Sequence, residues 1–193
     1  MARPREFDTT QVLEQATGVF WAKGYAATSL RDLISAMGIS KSSFYEAFDS
    51  KHNLYLLVLD NYIAHVSDQL VFTLGQGPSP RTAIAIAFND IVDGAIARSD
   101  RLGCLLANAA AEITPDDSEA AERVSGRLAR LEEAYYETIV RAQQAGEVPT
   151  EADARALARF LTTSANGLHL MSKAISDRMA LYDVARVVLS SLD

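Results

Sequence analysis

The chain has 193 residues, 49% of them hydrophobic and 22% charged, with a formal net charge of −7. That is ordinary globular composition and enough chain to bury a core in one large or two small domains. One cysteine, Cys104, excludes an internal disulfide framework and suits a reducing compartment. The polar start MARPREFD is no secretory leader, and no uncharged apolar stretch is long enough for a bilayer, so a soluble cytoplasmic protein is expected. The charge is uneven: residues 1–55 carry six basic and six acidic side chains, and the remainder twelve basic and nineteen acidic. A neutral head on an acidic body suits a head that approaches a polyanion.

In chain order, Asp8 and Thr9 open a first helix with Val12, Leu13, Ala16, Val19 and Phe20 at helical spacing, and Gly24 ends it. Thr28 is the expected cap of a short second helix carrying Leu30, Leu33, Ile34 and Met37. Gly38 allows a tight turn. A third helix starts near Ser40 and presents Phe44, Tyr45 and Phe48. Ser50 caps a long fourth helix to about Leu74, with Leu54, Leu57, Val58, Tyr62 and Val66 on its apolar face. The segment GQGPSP (75–80) is the clearest break. Further helices are expected from about Arg81 to Arg98 and from Cys104 to Ile113. Thr114 and Pro115 then open a long helix to about Ala145, with Val124, Leu128, Leu131, Tyr135 and Ile139 on one face. The last two run from about Glu151 to Ser176 and from Leu181 to Leu192. No alternating strand pattern occurs, so the expected fold is all-α, with about nine helices.

The second helix, the bend at Gly38 and the third helix form a helix-turn-helix. Such a unit sends its second helix into the DNA major groove, N-terminal turn foremost. Here that turn is Ser40, Lys41, Ser42 and Ser43. Short hydroxyls let the backbone approach and can bond phosphates or base edges, Lys41 adds charge, and the helix start offers free N–H groups. Ser40 also suits an N-cap.

The stretch FWAKGYAATSLRDLISAMGISKSSFYEAFDSKHNL, residues 20–54, resembles the N-terminal domain of the TetR family of transcriptional regulators. The likeness covers residues 8–57 well; beyond them it is architectural. It implies a helix-turn-helix domain over residues 1–55, a connecting helix over about 50–74, and a larger helical regulatory and dimerisation domain over 75–193. It also implies that Tyr45 and Lys51 touch the DNA backbone, and that Thr28, Ser29 and Arg31, at the start of the second helix, face DNA. Glu46 and Ala47 depart from the family, which often has a second aromatic or a histidine there. The implied function is a ligand-responsive regulator, a repressor in the family's commoner mode, that binds a palindromic operator as a homodimer and leaves it when an effector binds. Arg3 and Arg5 are either a free tail or a minor-groove arm.

One head reads few base pairs, so two are expected about one DNA turn, ~34 Å, apart. The segment 152–175 is apolar around most of its girth, which calls for burial on two sides. Leu157, Phe160, Leu161, Leu168, Met171 and Ile175 form one apolar side, and Ala158, Thr162, Ala165, Leu170 and Ala174, with Gly167, leave the other small and mostly uncharged; one side is expected to meet the chain's own domain and the other a partner. Thr162, Ala165, His169 and Leu170, with Val184 and Val188 of the last helix, are assigned to a partner subunit. Candidates for lining an effector pocket are Phe88, Val92, Ile96, Leu105, Asn108, Glu112, Tyr135, Tyr136, Ile139 and Leu161. Asn108 stands out as a polar group among leucines and alanines, and a buried polar group needs a partner. Cys104, at a helix start with Arg98 and Arg101 upstream, is either a redox or electrophile sensor or a plain core residue. No enzyme fingerprint is present, the three histidines are scattered, and neither a metal nor a cofactor is expected. The alternative of another class is a helical adaptor whose helix-turn-helix binds protein.

Overall fold

The computed structural model describes residues 8–97, 100–113 and 116–193, with the side chains of Val66 and Ser67 left out. The expected arm at Arg3 and Arg5, the cap at Thr114 and Pro115, Arg98 and the apolar contact of Val66 lie outside the described residues. Those residues form nine α-helices and no strand: α1 Thr9–Lys23, α2 Leu30–Met37, α3 Lys41–Phe48, α4 Lys51–Gln76, α5 Pro80–Ala97, α6 Leu105–Glu112, α7 Ser118–Gln144, α8 Ala154–Met171 and α9 Arg178–Leu189.

Short polar side chains set most of the starts. Asp8, Ser29, Ser40, Ser50, Asp117, Asp153 and Asp177 each accept a backbone N–H from the first turn of the helix that follows. Each such cap stabilises by ~1 kcal/mol and suits the positive end of the helix dipole. Four of these caps are aspartates, so part of the chain's negative charge is structural. The cap of α2 is Ser29, not Thr28. Ser29 and Asp32 form a reciprocal capping box, while the Thr28 hydroxyl turns inward and donates to the Gly24 carbonyl at 2.5 Å. α8 is shorter than its apolar pattern, because Asp153 fixes its start and the chain turns after Met171. α9 begins before Leu181, because Asp177 supplies a cap there.

Two cores form. The first joins Val12, Phe20, Leu33, Phe44 and Leu54 of the head to Cys104, Leu105, Ala109 and Val124 of the body. The second holds Phe88, Tyr135, Ile139, Leu161 and Leu181. α4 runs through both, with Leu54, Leu59 and Ile63 in the first and Leu74 in the second.

At the break between α4 and α5, Gly77 lies so close to α5 that a Cβ there would sit 2.6 Å from Ala83 Cβ. Gly77→Ala should therefore destabilise by about 1–3 kcal/mol, the usual cost of overpacking. Gly75→Ala, with open space around it in the last turn of α4, should be neutral or stabilise by up to ~1 kcal/mol. Urea unfolding of the two variants checks the contrast.

Candidate functional site

α2 and α3 pack on α1 and α4 through Leu33, Met37, Phe44 and Phe48, all buried. Gly38 makes the bend between them with φ +63°. Packing fixes which face of α3 remains outside: Ser40, Lys41, Ser42 and Tyr45 are exposed, and Ser43 is half-buried. Ser40 Oγ accepts from Ser43 N at 3.1 Å and lies 2.8 Å from Ser42 Oγ and 2.9 Å from Ser43 Oγ. The hydroxyls are thus a small network held by the cap. Lys41 Nζ lies 6.0 Å from the centre of the Tyr45 ring, so the two side chains extend together from the outer face. Ser29 and Arg31 are exposed beside them.

Two expected contacts are placed otherwise. Thr28 is 2% exposed and its hydroxyl is used internally, so its side chain does not face outward. Lys51 reaches back under α2: its Nζ donates to Thr28 O at 2.6 Å and lies 4.3 Å from the Tyr25 ring centre. Partial burial lowers its ammonium pKa, with the Glu112 carboxylate opposing the shift. In this arrangement Lys51 is half-buried and its ammonium is bonded to the start of α2.

Polar contacts tie the head and α4 to the body. Glu112 at the end of α6 accepts from Tyr25 N at 3.0 Å and Ala26 N at 2.8 Å. Trp21 Nε1 donates to Leu102 O at 3.3 Å. His52 Nε2 lies 2.6 Å from Asp117 Oδ2. The Tyr62 hydroxyl donates to Cys104 Sγ at 3.5 Å.

Between the two cores lies a cavity of about 320 Å³, the small end of the ligand-pocket range. Its walls come from α1 (Trp21), α4 (Tyr62, Leu70), α5 (Ile91), the loop before α6 (Leu102, Cys104), α7 (Arg127, Leu131, Tyr135) and α8 (Ala165, His169). Of the residues expected to line a pocket, only Tyr135 does so. Phe88, Val92, Leu105, Ile139 and Leu161 are fully packed core, and Ile96 is exposed. Asn108 has its partners elsewhere: it donates to Leu102 O at 3.0 Å and accepts from Lys173 Nζ at 2.9 Å.

The expected partner-facing side of α8 is also rotated. Thr162, Ala165 and, on α9, Val188 are buried within the chain, and His169 lines the cavity. Leu170 and Val184 are outside, joined by Phe160, Met171, Met179 and Val187, which are 45–66% exposed. With 100° per residue, the stripe 158-161-162-165-168 turns in, and the stripe 160-163-167-170-171 is left facing out. Sequence reasoning missed Arg127, Trp21 and Tyr62 as cavity residues. The available signal for Arg127 was its position in the stripe Val124, Leu131, Tyr135 and Thr138, where a charge is out of place.

Residues 12–58 match the family model of bacterial regulatory proteins of the tetR family, and residues 83–188 match that of the tetracyclin repressor-like C-terminal domain. The chain belongs to the TetR family. It is 34% identical to the helix-turn-helix transcriptional regulator YezE of Bacillus subtilis, over all of both chains. It is 29% identical to the transcriptional repressor ComR of Escherichia coli, covering 97% of this chain and 90% of that one. The TetR family regulator CifR, solved with 26-base-pair operator DNA, superposes with a TM-score of 0.88 at 29% identity, covering 99% and 100% of the two chains. This protein is accordingly a DNA-binding transcriptional regulator and not an enzyme, and the adaptor alternative falls. No helix among the described residues is long and apolar enough to cross a membrane.

In the cavity wall of this TetR-family protein, burial lowers the His169 pKa to about 4. The folded chain therefore resists a proton that the unfolded chain takes up near 6.5. The stability this group contributes is complete above about pH 6.5, falls as pH drops towards 4, and levels below that, a span of about 3 kcal/mol at most. His169→Gln should flatten the dependence of the urea midpoint on pH across that window. An unchanged slope would mean that His169 is solvated.

Proposed function

We propose that the protein is a cytoplasmic, homodimeric, ligand-responsive repressor that reads a palindromic operator with α3. Residues 1–55 are the reader, the helix over about 50–74 its connector, and 75–193 the sensing and dimerising body. The observation that carries this reading is the cavity, because its walls are shared between the reader (Trp21) and the body (Tyr135, Ala165, His169). A molecule that fits the cavity in one arrangement of α1 and α6 better than another shifts the balance between them. The contact set proposed for DNA is Ser29, Arg31, Ser40, Lys41, Ser42, Ser43 and Tyr45. Lys51 positions α2.

Changing Lys41 and Tyr45 together to alanine leaves the buried Phe44 and Phe48 in place, so the fold should persist. Affinity for duplexes selected from a random pool should fall about tenfold or more, and the salt slope should drop by ~0.9 for the lost cation. Fluorescence anisotropy at several salt concentrations reads both. An unaltered affinity would remove α3 as the reader.

The dimer rests on the outward apolar side chains of α8 and α9, two helices that pack against each other. Monomers rarely leave so much apolar surface open. Val184→Glu with Val187→Glu should convert a dimer to a monomer in sedimentation and abolish operator binding while helicity stays constant. A double variant that sediments like the parent would count against these helices.

A thiol reading keeps one observation in its favour, since buried Cys104 lines the same cavity beside the Tyr62 hydroxyl. If electrophiles act there, an alkylating reagent should release DNA from the parent and not from Cys104→Ser. Equal responses would end it.

A further inference from the structure

Arg127 sits in the apolar stripe of α7 and is 3% exposed. Its Nη2 is fully buried and has no hydrogen-bond partner among the described residues. A guanidinium cannot shed its proton to escape this cost, and an unpaired buried cation is among the most expensive features a core can hold. Burial is the main influence on it and lowers its pKa; the side chains that act on it electrostatically are Cys104, Tyr62, Arg130 and Tyr135, none of them a carboxylate. Among the described residues the charged groups of the cavity wall are Arg127, Arg101 and Asp90, with Arg101 and Asp90 exposed, so the described lining is net positive in a chain whose net charge is −7. Tyr62, Cys104 and Tyr135 of the wall act on Arg127 electrostatically, and Trp21 and Leu131 add apolar surface to the same lining. Burial raises the pKa of the Tyr135 phenol, which is therefore a neutral donor.

We propose that the effector is a small organic monocarboxylate whose carboxylate pairs with Arg127 and whose apolar body lies against Trp21 and Leu131. This rests on the reading that the cavity is the effector site. Arg127 is the one buried cation of the described lining, and one carboxylate balances it; a dianion would bring a second charge with no buried partner. The planar fork of arginine fits a carboxylate through two parallel N–H donors. The cavity volume of about 320 Å³ sets the size class as small.

Trp21 is the single tryptophan of the chain and lines the cavity, so its fluorescence reports occupancy directly, without DNA. The probes are monocarboxylates from propanoate to 3-phenylpropanoate, each paired with its primary amide. At least one acid should quench or shift Trp21 emission saturably and bind about tenfold or more tighter than its amide. Arg127→Met should abolish that preference and Arg127→Lys should keep part of it. The free Arg127→Met protein should melt at the same temperature as the parent or higher, because it loses an unpaired buried charge. Amides that bind as well as acids, no binding by any acid, or a lower melting temperature for Arg127→Met would each overturn the proposal. The last would assign Arg127 a structural role. A second arm adds the same probes to the complex with selected duplex. Release by a neutral member alone would sink the carboxylate class and leave the ligand-responsive reading standing. Acid binding with no release from DNA would do the reverse.

Discussion

The relation between head and body turns on one carboxylate. Glu112 ends α6 and accepts the two N–H groups of the turn that follows α1. Hydrogen bonds to an ionised acceptor are about twice as strong as neutral ones. The turn can come this close only because residue 24 is glycine: its φ is +80°, and a Cβ there would lie 2.7 Å from Glu112 Oε2. Below this contact, the core of the head continues without a break into Leu105, Ala109 and Ile113. The reader is therefore not a bead on a connector. It is built on α6, and a movement of α6 is a movement of the turn that leads into α2.

The electrostatics of the reading face follow from the same economy. Lys23 is paired with Asp32 at 2.7 Å and Lys51 is drawn under α2, so two of the described cations of the head are used in holding α2 in position. Arg31 and Lys41 are left facing outward, on a protein whose body is acidic. Charge attraction alone is then a modest term, and much of the binding must come from geometry: the hydroxyls at the tip of α3 and the N–H groups of its first turn. Ser40 serves both purposes, since the oxygen that caps α3 also organises the hydroxyls of Ser42 and Ser43.

What could be read in the sequence was what short-range forces decide. Caps and 3.6-residue periods fixed the number of helices, and the helix-turn-helix followed from Gly38, Ser40, Phe44 and Phe48, which lie within one short segment. Errors of a single residue arose where two capping residues stand side by side: Thr28 and Ser29 are both good caps, and only the Asp32 partner decides between them. The faces of α8 were harder. A helix apolar on nearly all sides gives no phase, and which stripe turns inward depends on α7, with which α8 makes its main packing. The cavity was hardest of all, because it is the space between two cores and belongs to no single pattern. Phe88 and Ile139 have the chemistry of pocket residues and are packed solid, while Trp21, far away in sequence, forms the wall.

That space is placed where it can matter. Here the two cores meet around α4 without merging, and the gap is bounded by a head residue on one side and body residues on the other. Its volume is then a function of how the head sits on the body. A ligand can shift an equilibrium only by as much as its affinities for the two states differ. A cavity walled by one rigid body would hold a ligand equally well in both states and report nothing. Because Trp21 belongs to α1, tilting the reader changes the shape of the site, and that dependence is the physical condition for occupancy of the cavity to be felt at α3.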